Sequence, residues 1–179
     1  MPELPEVETT CRGVAPFLEG QTIVRLRVRQ PLLRWPVPAA LTRLRDASVL
    51  AVRRRAKFML IDTDQGQILV HLGMSGSLRV LANDAPPGKH DHVDWLLDSG
   101  RVLRLNDPRR FGAVLWSKTP DSHPLLAHLG PEPLGPDFSG DGLARRAAGR
   151  RQSVKSFIMD NRTVVGVGNI YAQESLFMA

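Results

Sequence analysis

The sequence predicts an α+β chain: one helix, then about eight short antiparallel strands forming a sandwich or barrel, then helices. Three observations carry that expectation. Apolar residues recur at helical spacing near the N-terminus, the period falls to two from Thr22 onward, and helical spacing returns after a stretch rich in Pro and Gly.

The first helix opens at Pro5, a residue suited to an opening turn, with Glu6 and Glu8 where the helix dipole favours acids. Val7, Val14 and Leu18 share one apolar stripe, and Gly20 stops the helix after about four turns. Val24, Leu26 and Val28 then alternate with Arg25, Arg27 and Arg29, the pattern of a half-buried strand with a basic outer face. Further strands are predicted at Val49–Arg53, Phe58–Asp62, Ile68–Leu72, Ser77–Leu81, Val93–Leu97, Val102–Leu105 and Ala113–Trp116. Turn residues separate several of them, in Asp64-Gln65-Gly66 and Asp98-Ser99-Gly100. Residues 1–120 therefore read as one domain, and Asp121–Asp141, with its Pro and Gly, as a linker or ordered crossing. Residues 142–179 read as helical, over Leu143–Gly149, Ser153–Asp160 and Asn169–Met178.

Composition narrows the function classes. The chain of 179 residues carries 24 Lys+Arg against 18 Asp+Glu, a formal charge of +6. The excess is segregated: residues 1–60 carry +6, residues 61–140 carry −3 and residues 141–179 carry +3. Two basic ends around an acidic middle suit a binder of phosphate backbones, where Lys and Arg gain by releasing condensed counterions. No apolar run approaches the ~20 residues of a membrane span, and the N-terminus has acids where a signal peptide is basic, so a cytoplasmic, nucleoid-associated location is expected. Cys11 is the only cysteine, which excludes an intrachain disulfide and a four-thiolate zinc site.

Several residues could carry chemistry, each beside a plainer reading. If Met1 is removed, Pro2 presents a secondary amine with a reference pKa of ~8, nucleophilic enough near neutral pH to form an iminium. Glu3 could then move the proton; alternatively, the pair is ordinary punctuation before a helix. Arg53-Arg54-Arg55-Ala56-Lys57 is either a phosphate-binding cluster or a solvated edge that discourages aggregation, and Lys57 precedes an apolar strand where burial would lower its pKa. Met74, at the tip of His71-Leu72-Gly73-Met74-Ser75-Gly76, either folds inward or stands out as a wedge between bases. Asn106-Asp107-Pro108-Arg109-Arg110-Phe111-Gly112 is a turn presenting two guanidiniums and a ring, for base contact or simply for solvent and core. His71, His90 and His92 lack metal-ligand spacing and read as hydrogen-bonding or phosphate-contacting groups. Asn169, after Gly166-Val167-Gly168, is a natural N-cap beside amides that form an anion site.

In this order the motifs resemble the formamidopyrimidine-DNA glycosylase branch of the formamidopyrimidine-DNA glycosylase and endonuclease VIII family. The resemblance runs through Pro2-Glu3-Leu4-Pro5-Glu6-Val7-Glu8-Thr9, Arg54–Lys57, His71–Gly76, Lys89–Asp94, Asp107–Gly112, Leu129–Leu134 and Met159–Asn161, and on to Glu174-Ser175-Leu176. It implies an N-terminal β-sandwich, a helix-two-turn-helix domain, and double-stranded DNA held between them. It also implies base-excision repair of oxidised purines, 8-oxoguanine and formamidopyrimidines, with abasic-site lyase cleavage through a Schiff base on Pro2. By similarity Glu3 is the proton donor and Lys57 serves β-elimination. Met74, Arg109 and Phe111 would fill the gap left by the displaced nucleotide, with His90, Arg109 and Arg150 as DNA contacts. Lys155 and Asn169 would lie near the lesion and its phosphates, and Glu174 in the lesion pocket.

The chain departs from the family in stopping within the last helix, so its helix-two-turn-helix domain is expected to be incomplete and its activity reduced. Relatives bind zinc through four late cysteines; no cofactor is expected in this chain, which has no such ligands, and a monomer is expected. Two rivals remain: a DNA-binding remnant without catalysis, and an N-terminal-proline enzyme acting on a small carbonyl substrate.

Overall fold

The computed structural model describes residues 2–179. The elements run α1 (Leu4–Leu18), β1 (Thr22–Val28), α2 (Ala39–Arg43), β2 (Arg45–Arg55), β3 (Phe58–Thr63), β4 (Gly66–His71), β5 (Ser77–Leu81), β6 (Asp91–Leu97), β7 (Val102–Asn106) and β8 (Ala113–Ser117). Then come α3 (Gly140–Ala147), α4 (Val154–Met159) and α5 (Asn169–Met178). All eight expected strands are present, and every pairing between them is antiparallel.

Their order is β5-β7-β6-β1-β2-β3-β4-β8. The long strand β2 turns this row into a sandwich. Its first residues pair with β1, Ser48 opposite Thr22, whereas its later residues pair with β3, from Val49 opposite Thr63 to Arg55 opposite Phe58. An irregularity between Val49 and Ala51 bends the strand between these duties, as extra residues in a ladder do. Met59, Ile61, Ile68 and Val70 from one layer thus meet Val93, Trp95, Leu103 and Leu105 from the other, all fully or almost fully buried. Val7, Cys11, Val14 and Leu18 of α1 join the same core, the expected stripe extended by one residue.

The register of β1 differs from simple alternation. An irregularity between Ile23 and Arg25 turns Ile23 and Leu26 into the core and leaves Val24 exposed. Arg27 and Arg29 are not part of a free outer face either. Arg27 is bidentate to Asp84 (3.0 and 2.9 Å), and Arg29 bonds to Asp94. Asp94 is completely buried and also holds Arg104, only 2% exposed, through two bonds of 2.8 and 2.9 Å. Arg104 reaches on to the carbonyls of Ala85 and Pro86, which pins the segment between β5 and β6.

The second face of the β2-β3-β4-β8 layer is apolar too: Leu60, Leu69, Ala113 and Leu115 pack against Leu126, Trp35, Phe58 and Leu129. The Pro/Gly stretch is therefore an ordered crossing, seated on the sheet by Leu126 and Leu129. Beyond it a third cluster, Phe157, Ile158, Val164 and Ala172, gathers α4, α5 and the loop between them. Ser153 caps α4, as its hydroxyl accepts the Ser156 N–H at 3.2 Å. The short helix α2 has no clear period in the sequence; Pro38 starts it and Leu41 buries it.

Candidate active site

The chain's first residues lie where the sandwich meets the helices. Leu4 N–H donates to Gly166 O at 3.1 Å. Glu3 is 2% exposed, and its carboxylate accepts the N–H groups of Gly168 (2.7 Å), Ile170 (2.9 Å) and Tyr171 (3.3 Å). These are the orphan donors at the N-terminus of α5, and an acid there gains from the helix dipole as well. The glycines are required by the fit: Gly166 has φ +83°, and a Cβ on it would sit 2.5 Å from Leu4 Cδ1, while one on Gly168 would overlap the Glu3 carboxyl. Asn169 is accordingly the first helical residue and Gly168 the cap, and the expected anion site is filled by the chain's own Glu3.

Lys57 joins this group from the sandwich side. It follows Ala56, whose φ of +53° makes the sharp turn from β2 into β3, and its Nζ donates to Val167 O at 3.1 Å. Burial lowers the Lys57 pKa from the usual lysine value, with the charges of Glu3 and Glu6 opposing the shift. The turn is held from outside by Glu132, which accepts the Ala56 N–H (2.8 Å) and pairs with Arg54 (2.6 Å) and Arg55 (3.0 Å). Burial pushes the Glu132 pKa up, but these donors outweigh it and hold the carboxyl below its ordinary value.

This corrects the phosphate-binding reading of the basic cluster. Arg53 pairs with Asp62 and Asp121, Arg54 with Glu8 and Glu132, and Arg55 with Glu132 and the carbonyls of Leu129 and Gly130. The three arginines join the sandwich to the crossing segment. Their partners lie up to 78 residues away, which is why a local reading of the cluster missed them.

A second group of expected residues stands on a neighbouring rim. Phe58 lies opposite His71 across β3 and β4, their rings edge to face at 5.0 Å. Burial, with Arg34 and Lys57 nearby, lowers the His71 pKa to about 4. Its Nδ1 accepts the Gly73 N–H at 3.0 Å, which anchors the turn that carries Met74. Met74 is 43% exposed and Phe111 44%, and the Arg109 guanidinium stacks on the Phe111 ring at 4.8 Å. The two turns touch, since a Cβ on Gly73 would overlap the Phe111 carbonyl. His90 is half-buried, its ring 6.3 Å from that of His92.

The other expected residues are more dispersed. Pro2 is half-buried next to Glu3; Arg150 and Glu174 are exposed, and Lys155 is half-buried on α4. Arg150 lines a groove of about 1040 Å³ with Arg55, Arg146 and Arg162, and this groove does not include Glu3 or Lys57. Glu132, His71 and Asp107 were not singled out as site residues from the sequence. All three lie in motifs that the sequence flagged, His71–Gly76, Asp107–Gly112 and Leu129–Leu134, but their partners there were not legible. Among the described residues no group of three His, Cys, Asp or Glu could hold a metal ion. The residues present do not fit a four-cysteine zinc site, since Cys11 is buried with Sγ 3.7 Å from Arg53 O. No helix of the described residues is long and apolar enough to cross a membrane.

Comparison with known proteins places this arrangement. Residues 1–114 match the model of the formamidopyrimidine-DNA glycosylase N-terminal domain, and residues 129–179 that of the formamidopyrimidine-DNA glycosylase H2TH domain. The formamidopyrimidine-DNA glycosylase of Alcanivorax borkumensis is 63% identical over all 179 residues, and that of Escherichia coli O7:K1 is 56% identical over the same length. The chain spans 66% of each, just under two thirds. The crystal structure of MutM (Fpg) from Thermus thermophilus superposes with a TM-score of 0.84 at 39% identity, over 98% of this chain and 64% of that one. Lactococcus lactis Fpg non-covalently bound to abasic-site DNA superposes at 0.88 and 29% identity, over 97% of this chain and 68% of that one. With a matched domain over most of its length, and relatives more than half identical from end to end, the chain belongs to the formamidopyrimidine-DNA glycosylase family.

Proposed function

We propose that the chain acts on damaged duplex DNA in base-excision repair, removing oxidised purines and cutting the resulting abasic site through a Schiff base on Pro2. The observation that carries this reading is the meeting of Glu3, Lys57 and the Gly166–Tyr171 segment at the chain's N-terminus. The reading is supported by related structures, which include Lactococcus lactis Fpg in complex with abasic-site DNA and with N7-benzyl-Fapy-dG DNA.

Once Met1 is removed, the Pro2 nitrogen forms a bond to C1′ of a nucleotide turned out of the stack. The glycosidic bond breaks, and the base leaves with its electron pair and takes up a proton. Glu3, fixed by three amides, takes the ammonium proton of Pro2 and passes it to the sugar ring oxygen as the ring opens to the iminium. The iminium acidifies C2′, and loss of that proton expels the 3′-phosphate. Lys57, with its pKa lowered by burial, has a larger neutral fraction than an ordinary lysine and takes part in this elimination. Met74, Arg109 and Phe111 enter the gap, and His90, Arg150, Lys155 and Asn169 contact the backbone. Glu174 lines the lesion pocket, and the site of action is the nucleoid.

Borohydride trapping tests the reading. Chain with Met1 removed should give a covalent adduct with 8-oxoguanine and abasic duplexes, more slowly than its longer relatives, and chain retaining Met1 should give none. Absence of an adduct from processed chain on the abasic duplex would overturn it. A second reading, DNA binding without cleavage, is favoured by the exposed Ile170, Leu176, Phe177 and Met178 of α5. It is the outcome in which salt-sensitive binding persists with no adduct.

A further inference from the structure

Asp107 is completely buried, and its polar atoms hold neighbouring segments together. Its Oδ1 accepts the Ser75 hydroxyl at 2.8 Å, and its Oδ2 accepts the Gly112 N–H at 2.8 Å. Its own N–H donates to His90 O at 2.9 Å, and its carbonyl accepts His92 Nε2–H at 2.9 Å. Ser75 Oγ in turn accepts the Arg109 N–H at 3.2 Å. One side chain therefore joins the turn bearing Met74 to the turn bearing Arg109 and Phe111, and its main chain joins both to the segment bearing His90.

The close packing leaves no slack. Besides the overlap that would follow a Cβ on Gly73, one on Gly112 would sit 2.8 Å from His71 O and 2.9 Å from Asp107 Oδ2. Arg110, between Arg109 and Phe111, is held at φ +56°, a conformation that a non-glycine residue keeps only where its surroundings impose it. A carboxylate is the side chain suited to this place, because it offers two acceptors and no donor to a hydroxyl and an amide that both donate.

We propose that Asp107 is the positioning residue that locks Met74, Arg109 and Phe111 into a single register, so that they enter a duplex as one rigid wedge. This deepens the DNA-repair reading and rests on it. The physical reason is preorganisation: side chains inserted between stacked bases must overcome the stacking energy, and two loops ordered in advance lose little freedom on entry.

Two measurements on the full chain test it. In the first, amide hydrogen exchange is followed in the free protein. Asp107→Ala and Ser75→Ala should each speed exchange in both 72–76 and 107–112 by at least tenfold, with β4 and β8 unchanged and Asp107→Asn intermediate. Acceleration in one turn only, or in neither, overturns the proposal; if Asp107→Ala unfolds throughout, Ser75→Ala decides. In the second, trapping is compared on duplex and single-stranded abasic DNA, since only the duplex has a stack to fill. Asp107→Ala should lower duplex trapping at least tenfold and single-strand trapping less than twofold. Equal losses on both overturn the wedge role. If the unsubstituted chain traps neither substrate, the repair reading fails, and hydrogen exchange still decides whether Asp107 couples the turns.

Discussion

At the scale of single residues, His71 shows how burial, orientation and function are tied together. Its Nδ1 can accept the Gly73 N–H only while it carries no proton, and burial lowers its pKa to about 4. Above the unfolded value of 6.5 both states are neutral and the residue contributes nothing to pH dependence. Between 6.5 and 4 the unfolded chain binds more protons, so stability falls as the pH falls; below 4 the full penalty is present. The window corresponds to about 3 kcal/mol at most. Urea unfolding at pH 4 and pH 7.5 should therefore show a larger acid loss for the unsubstituted chain than for His71→Asn, by up to about 3 kcal/mol. Equal losses would mean that His71 is not the titrating group. The identity of His71 as a neutral anchor was not legible in the sequence, where it read as a hydrogen-bonding or phosphate-contacting group. Glu3 read as a candidate proton carrier, but its structural place was not legible, because the three amides that hold it come from residues 168–171.

At the scale of elements, the strands were legible because each has its own alternation or β-rich run and its own turn signal. The long β2 with its bend, and the shift that exposes Val24, were not, because irregularities in a ladder answer to the neighbouring strand. The basic segments were read least well. Arg27, Arg29 and Arg104 belong to a buried network centred on Asp94, which fixes the loop between β5 and β6. Burial raises the Asp94 pKa, and the bonds from Arg104 and Arg29 more than reverse this, so the carboxyl titrates below its usual value. Asp94→Leu leaves those guanidiniums without their partner and should cost about 3–5 kcal/mol in urea unfolding. Asp94→Leu combined with Arg104→Met should recover more than half of that loss, since an apolar pair removes both charges. A double variant as unstable as the single would show that the network's contribution lies elsewhere.

At the scale of the whole molecule, the +6 charge overstates what is available to a phosphate backbone, because much of the basic sequence is paired internally. The salt dependence of DNA binding should reflect this. Arg150→Gln, at an exposed position, should reduce the slope of log K against log salt by about 0.9, whereas Arg53→Gln, already paired with Asp62 and Asp121, should change it by less than about half as much. Equal changes would mean that Arg53 leaves its carboxylates for DNA. The clasp between Glu3 and α5 also sets an order of events during synthesis. The residues it joins lie 165 to 168 positions apart, so at ordinary translation rates the terminal residues wait roughly ten to thirty seconds for their partners. During that interval Glu3 has none of the amides that later hold it, and Lys57 lacks the Val167 carbonyl that receives its Nζ. On the proposed function, the nascent chain would stay chemically idle until the segment that holds Glu3 has been made.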